Sequence, residues 1–110
     1  MYNEYYRGDI FWIRAGKEEG YEQIAERPGV IVSNDKNNLH SGTVEVVMLT
    51  GKQKKPLPTH VRIDSARYPS TALCEQITTV TKERLVKFMG TITEREQERI
   101  DEALRISIAV

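Results

Sequence analysis

The stretch from Gly20 to Thr50, GYEQIAERPGVIVSNDKNNLHSGTVEVVMLT, constrains this chain most. A polar loop runs into Arg27-Pro28, and an apolar run, Gly29-Val30-Ile31-Val32, follows. Proline presets φ and cannot donate to a ladder, so Pro28 suits the first residue of a strand. Val30–Ser33 reads as a short strand fit for burial on both faces. Asn34–Gly42 is dense in turn formers. Thr43–Thr50 then alternates, with Val44, Val46, Met48 and Thr50 on one face and Glu45, Val47 and Leu49 on the other. The segment therefore commits the chain to β architecture. It also sets an arginine at the mouth of one strand and a threonine at the end of the next, where both can face one groove.

The flanking segments agree. Asp9–Arg14 is β-branched and aromatic and predicts a strand, with Phe11 and Trp12 in the core. Ala15–Glu26 reads as a long loop, of the length that is usually functional or disordered. Gly51–Thr59 is a basic loop with two prolines. His60–Ile63 is a short strand with Val61 and Ile63 inward and His60 and Arg62 outward. Thr71–Val80 is the last long strand, with a bend expected near Gln76. Thr81–Leu85 allows one helical turn, and Val86–Met89 returns as a strand closed by Gly90. Thr93-x-x-Glu96 is a capping box. Behind it Ile100, Ala103, Leu104, Ser107 and Ile108 recur at helical spacing, a stripe for core or dimer packing. The expected fold is mainly β with minor α, a half-open barrel in one domain over 1–110, with a C-terminal helix.

Sixteen basic and sixteen acidic side chains give zero formal charge, so any nucleic-acid binding must come from local clusters. Cys74 is alone, and no metal-type cysteine spacing exists. No metal or other cofactor is expected. There is no apolar span of membrane length. The N-terminus, MYNEYYRGD, does not read as a signal peptide. A cytoplasmic setting is the simple expectation.

At Arg7-Gly8-Asp9-Ile10, Gly20-x-Glu22-Gln23, Arg27-Pro28 and Ser33-Asn34-Asp35 the chain resembles the MazF/PemK family of toxin endoribonucleases. The match continues through Thr50, Leu57-Pro58-Thr59-His60-Val61 and Glu75-Gln76-Ile77, and closes with Asp101-Glu102-Ala103-Leu104-x-Ile106-Ser107. Each tripeptide alone is weak, but their order across nearly the whole chain is specific. The resemblance implies an SH3-like barrel of the plasmid-maintenance-toxin type that forms a homodimer. It implies metal-free, sequence-specific cleavage of single-stranded mRNA. It also implies neutralisation by an antitoxin whose disordered tail occupies the RNA groove. Relatives often carry a serine where this chain has Tyr21. A tyrosine there is suited to stacking on a base, a contact worth roughly 1–3 kcal/mol.

Metal-free cleavage uses the RNA's own 2′-OH as nucleophile and leaves a 2′,3′-cyclic phosphate and a 5′-OH. The resemblance assigns catalysis to Arg27 and Thr50. A guanidinium is a rigid fork of donors shaped for phosphate, and too weak an acid to serve as a base at neutral pH. Arg27 is therefore expected to stabilise the phosphorane, and to protonate the leaving oxygen as a possible second role. The Thr50 hydroxyl would hold a phosphate oxygen or position the 2′-OH. The base is open between Glu22 and His60. Two histidines in one cleft are not expected, since His40 falls in a turn segment. RNA contacts are expected from Tyr21, Glu22 and Gln23 in the long loop and from the cluster Lys52, Lys54 and Lys55. The Gln76 amide fits a base edge, or else pins the strand bend. A non-catalytic gyrase poison of the same fold, needing neither Arg27 nor Thr50, is the alternative. A plain RNA-binding module would carry more positive charge.

Overall fold

The computed structural model describes residues 4–17, 23–24, 26–52 and 55–110, with the backbone alone at 16–17 and 23–24. The elements are β1 (Asp9–Ile13), β2 (Gly16–Lys17), β3 (Gln23–Ile24), β4 (Arg27–Ile31), α1 (Asp35–His40), β5 (Thr43–Thr50), β6 (His60–Ile63), β7 (Ser70–Thr81), β8 (Leu85–Thr91) and α2 (Glu94–Ile108). A 3₁₀ turn at Lys82–Arg84 joins β7 to β8. Six strands make one antiparallel sheet in the order β6-β7-β5-β4-β1-β8. Among the described residues no ladder joins β6 to β8, so the sheet stays unclosed, as the expected half-open barrel requires, with α2 packed against β6 and β7.

The alternation of β5 sorts two cores. Val47 and Leu49 join Ile10, Val30, Val61, Ile63, Ala72 and Cys74 beneath Ile100 and Ala103 of α2. Val44, Val46 and Met48 join Phe11, Ile13, Ile31, Val80 and Leu85 on the opposite face. Both faces of β5 are thus buried at its centre. β4 lies between β1 and β5, and a Cβ on Gly29 would lie 2.6 Å from Ile13 Cδ1 and 3.2 Å from the Val47 carbonyl oxygen, so a side chain there would require the Ile13 tip to move.

The Arg7-Gly8-Asp9 motif forms a clasp. The Arg7 guanidinium donates to the Val32 carbonyl oxygen and pairs with Asp101 of α2, while its backbone amide donates to Asp35. Gly8, at φ +92°, donates to the Ile31 carbonyl and accepts from the Ile92 amide. The capping box forms as expected, and Glu96 reaches further, accepting from the amides of Asp64 and Ser65. Those bonds, with the Thr93 amide, outweigh the effect of burial and leave the Glu96 carboxyl below its ordinary range.

Several expectations shift. Residues 34–42 hold a helix, capped by the Asn34 side chain on the Asn37 amide and closed against the sheet by buried Asn38. The long loop contains the two-residue ladder of β2 and β3. β4 begins at Arg27, so Pro28 is its second residue and lies across from Trp12. Trp12 is half-buried, and its ring N–H donates to Glu26 at 2.8 Å. The last turn of α2 stands off the core, with Ile106 and Ile108 about half exposed.

Candidate active site

β4 and β5 place Arg27 and Thr50, the two residues expected to carry the chemistry. Their register runs Ile31↔Val46, Val30↔Val47 and Gly29↔Met48. Continued two residues, it sets Arg27 across from Thr50 on the same face. Both line a groove of about 540 Å³ with Pro28, Leu49, Gly51, Lys52, Leu73 and Gln76. Arg27 and Thr50 are each half-buried, reachable from solvent but fixed at the strand ends.

Gln76 arrives by a break in the ladder. β5 pairs Val47 with Ile77 and then Met48 with Leu73, so Cys74, Glu75 and Gln76 bulge out of register. This is the bend expected near Gln76, and it turns an exposed amide toward the groove. The Thr50 hydroxyl oxygen accepts from the Lys52 amide at 3.2 Å. That bond fixes the oxygen and leaves the O–H proton to donate elsewhere. Among the described residues, the side chains of Arg27, Lys52 and Gln76 have no protein hydrogen-bond or ion-pair partner. The groove thus gathers unspent donors, which is what an anion needs.

His60 behaves otherwise than expected of an outward strand residue. Its ring is largely covered, with Nε2 3.0 Å from Glu75 Oε2 and Nδ1 3.1 Å from the Lys55 carbonyl oxygen. Glu75 also accepts from the Thr59 hydroxyl at 2.9 Å. Burial works against the Glu75 carboxylate, but the bonds from His60, the backbone and Thr59 outweigh it and hold the group below its usual range. His60 therefore braces the basic loop against the β7 bend, with both ring nitrogens occupied. Burial, with Glu75 alongside, pushes the Cys74 thiol up to about 12, so no thiolate is available beside the groove.

Of the remaining expected site residues, Lys55 is exposed and its carbonyl holds His60. Tyr21, Glu22 and Lys54 lie outside the described residues, and Gln23 is placed by its backbone alone, in β3. His40 ends α1, away from the groove-lining set. Among the described residues no three of His, Cys, Asp and Glu converge as a metal-ligand cluster. Among the described residues no helix is long and apolar enough to cross a membrane. Sequence reasoning passed over Pro28, Leu49 and Leu73 as groove walls. The pairing of β4 and β7 with β5, which alternation alone does not specify, brings them to the groove.

Residues 6–108 match the family model of the PemK-like, MazF-like toxin of type II toxin–antitoxin systems. Endoribonuclease EndoA of Bacillus subtilis is 38% identical over 109 residues, covering 94% of each chain. A mycobacterial endoribonuclease solved in complex with its cognate antitoxin superposes with a TM-score of 0.80 at 26% identity, over 96% of this chain and 95% of that one. MazF of Deinococcus radiodurans superposes with a TM-score of 0.81 over 96% of each chain, and at 16% identity that likeness speaks to the fold alone.

Proposed function

The chain belongs to the PemK-like, MazF-like toxin family and is an endoribonuclease, and from that premise we propose that it cuts single-stranded mRNA at a short sequence without a metal. The observation that carries this reading is the meeting of Arg27 and Thr50 in one open groove, with a guanidinium that no described protein group occupies.

In this mechanism the substrate's 2′-OH attacks the adjacent phosphorus and the 5′ oxygen leaves, giving a 2′,3′-cyclic phosphate and a 5′-OH. Charge builds on the phosphorane oxygens. Arg27 meets it with two or more N–H donors, and the Thr50 O–H donates to a neighbouring oxygen. In this reading Arg27 also donates a proton to the leaving oxygen. With both His60 nitrogens engaged, Glu22 is the candidate left to accept the 2′-OH proton. Gln76 offers donors and an acceptor to a base edge, and Lys52 a charge to the backbone. Tyr21, Gln23, Lys54 and Lys55 belong to the same RNA contact set in this reading.

The partners follow from the same premise. They are a second copy of the chain, mRNA, and a cognate antitoxin whose tail competes with RNA for the groove, all in the cytoplasm. The gyrase-poison alternative is not favoured, because the Bacillus subtilis relative and the mycobacterial neighbour solved with its antitoxin are endoribonucleases and the groove keeps both Arg27 and Thr50. The test is to incubate the protein with a long single-stranded RNA in EDTA and map the ends. Cuts at one short motif, bearing cyclic phosphate and 5′-OH ends and absent with Arg27→Ala, are expected. RNA that stays intact, or that is cut only when a divalent ion is returned, overturns the proposal.

A further inference from the structure

The register that joins Arg27 to Thr50 continues across the sheet. Thr50 of β5 pairs with Thr71 of β7, and Thr71 pairs in turn with Arg62 of β6. Directly opposed residues of antiparallel strands share a face. Arg27, Thr50, Thr71 and Arg62 therefore form a single row over four neighbouring strands, an arginine at each end and a hydroxyl beside each. With strands about 4.7–4.9 Å apart, the two arginines stand roughly 14 Å apart at the backbone. Guanidinium groups at that spacing, each beside its own threonine, suit two phosphates better than one.

The surface beneath the far half of the row is hollow. A second groove, of about 380 Å³, is lined by Thr50, Gly51, Lys52, Arg62, Pro69, Ser70 and Thr71, and it shares Thr50, Gly51 and Lys52 with the first. The two grooves therefore adjoin, with Lys52 between them. Among the described residues Arg62 spends only its Nε, on Asp64 at 3.0 Å, and its side chain is 63% exposed. Its two terminal nitrogens have no partner among those residues and suit a ligand. Asp64 is the acidic neighbour, and its side chain is 75% exposed.

We propose that Arg62, Thr71 and Lys52 form a second phosphate subsite, holding the backbone of a nucleotide that flanks the one cleaved. The proposal rests on the reading of the first groove as the cleavage site. It makes the protein's grip on RNA a line across the sheet, with the scissile phosphate at the Arg27 end. Such contacts position the strand without reading its bases.

The test uses the full chain and an RNA oligonucleotide spanning the mapped cut, made uncleavable by a 2′-deoxy residue at the attacking position. Arg62→Ala should weaken binding about tenfold, as expected for one charge-assisted bond to phosphate. The slope of log affinity against log salt should fall by about 0.7. Replacing one flanking phosphate by a neutral methylphosphonate should cost the wild type the same factor and cost Arg62→Ala nothing further. Asp64→Ala should bind at least as well as wild type, since it frees the guanidinium. Unchanged binding by Arg62→Ala overturns the proposal. So does an Asp64→Ala loss equal to that of Arg62→Ala, which would mean that the ion pair matters only for the fold. Weakening of an acidic antitoxin peptide but not of RNA also overturns it. If Arg62→Ala weakens binding as stated but Arg27→Ala cuts the cleavable oligonucleotide as fast as wild type, the reading of the first groove as the cleavage site fails while Arg62 remains a phosphate contact.

Discussion

Around α2, Arg7 reaches the Val32 carbonyl and the Asp101 carboxylate, Asp101 also accepts from Gln97, and Glu96 accepts from three backbone amides. In the groove at the ends of β4 and β5, the Arg27 and Gln76 side chains have no such partners among the described residues, and the Thr50 hydroxyl keeps its proton free. Both regions carry motifs of the family pattern, so motif membership alone does not separate fold from chemistry. Partner saturation does. A side chain whose nitrogens each have a partner inside the protein holds the fold, and one whose nitrogens have none among the described residues, in a cavity, awaits a ligand. By that criterion Arg7 and Arg27, the same residue type, belong to different tasks.

The largest expected effect lies in the groove. Arg27→Ala should slow RNA cleavage by roughly 10²–10³, the usual cost of losing a transition-state donor. The thermal midpoint should stay within about 2 °C, because no described contact is lost. A midpoint that drops with the rate would erase the contrast between the two regions.

Next comes the clasp. Asp101→Ala strips Arg7 of its carboxylate and should cost about 1–3 kcal/mol of stability. For a domain of this size that lowers the midpoint by roughly 4–8 °C per kcal/mol. The cleavage rate per folded molecule should be unchanged. Urea melts beside single-turnover rates check both halves.

Acid sharpens the contrast further. The folded Glu96 carboxyl lies below its ordinary value of 4.5. A group depressed in the folded state adds stability that is fully present above its unfolded value and is lost as pH falls through the folded one. Stability should therefore decline on acidification below about pH 4.5, and Glu96→Gln should flatten that decline while lowering stability at pH 7. Melting midpoints of both proteins from neutral to acid pH provide the measurement. An equal acid slope in the variant would remove Glu96 from the account. The smallest effect is at the helix start, where Thr93→Ala should cost about 1 kcal/mol through the lost cap, read by the same melts.

Much of this was legible because local physics decided it. The strands Thr43–Thr50 and His60–Ile63 have the bounds that alternation predicts, and the capping box at Thr93 formed as read. The bend near Gln76 was also foreseen, and it is a register break. Two things were hidden for physical reasons. A six-residue helix, Asp35–His40, is too short to show periodicity, and its Asn and Asp caps are also turn formers. Pairing across strands is set by tertiary packing, which alternation within one strand does not specify. That Arg62 shares a row with Arg27 was therefore invisible, although its outward direction was not. The covered ring of His60 has the same origin, since Glu75 and Lys55 come to it from other parts of the fold.

The central claim is that Arg27 and Thr50 act on one phosphate. A double-mutant cycle on single-turnover cleavage, with Arg27→Ala, Thr50→Val and the double variant, tests it most directly. Residues that work as a unit lose their effect together. The double variant should be little slower than Arg27→Ala alone. Losses that multiply in full would mean that the two side chains act independently, and the shared site would be contradicted.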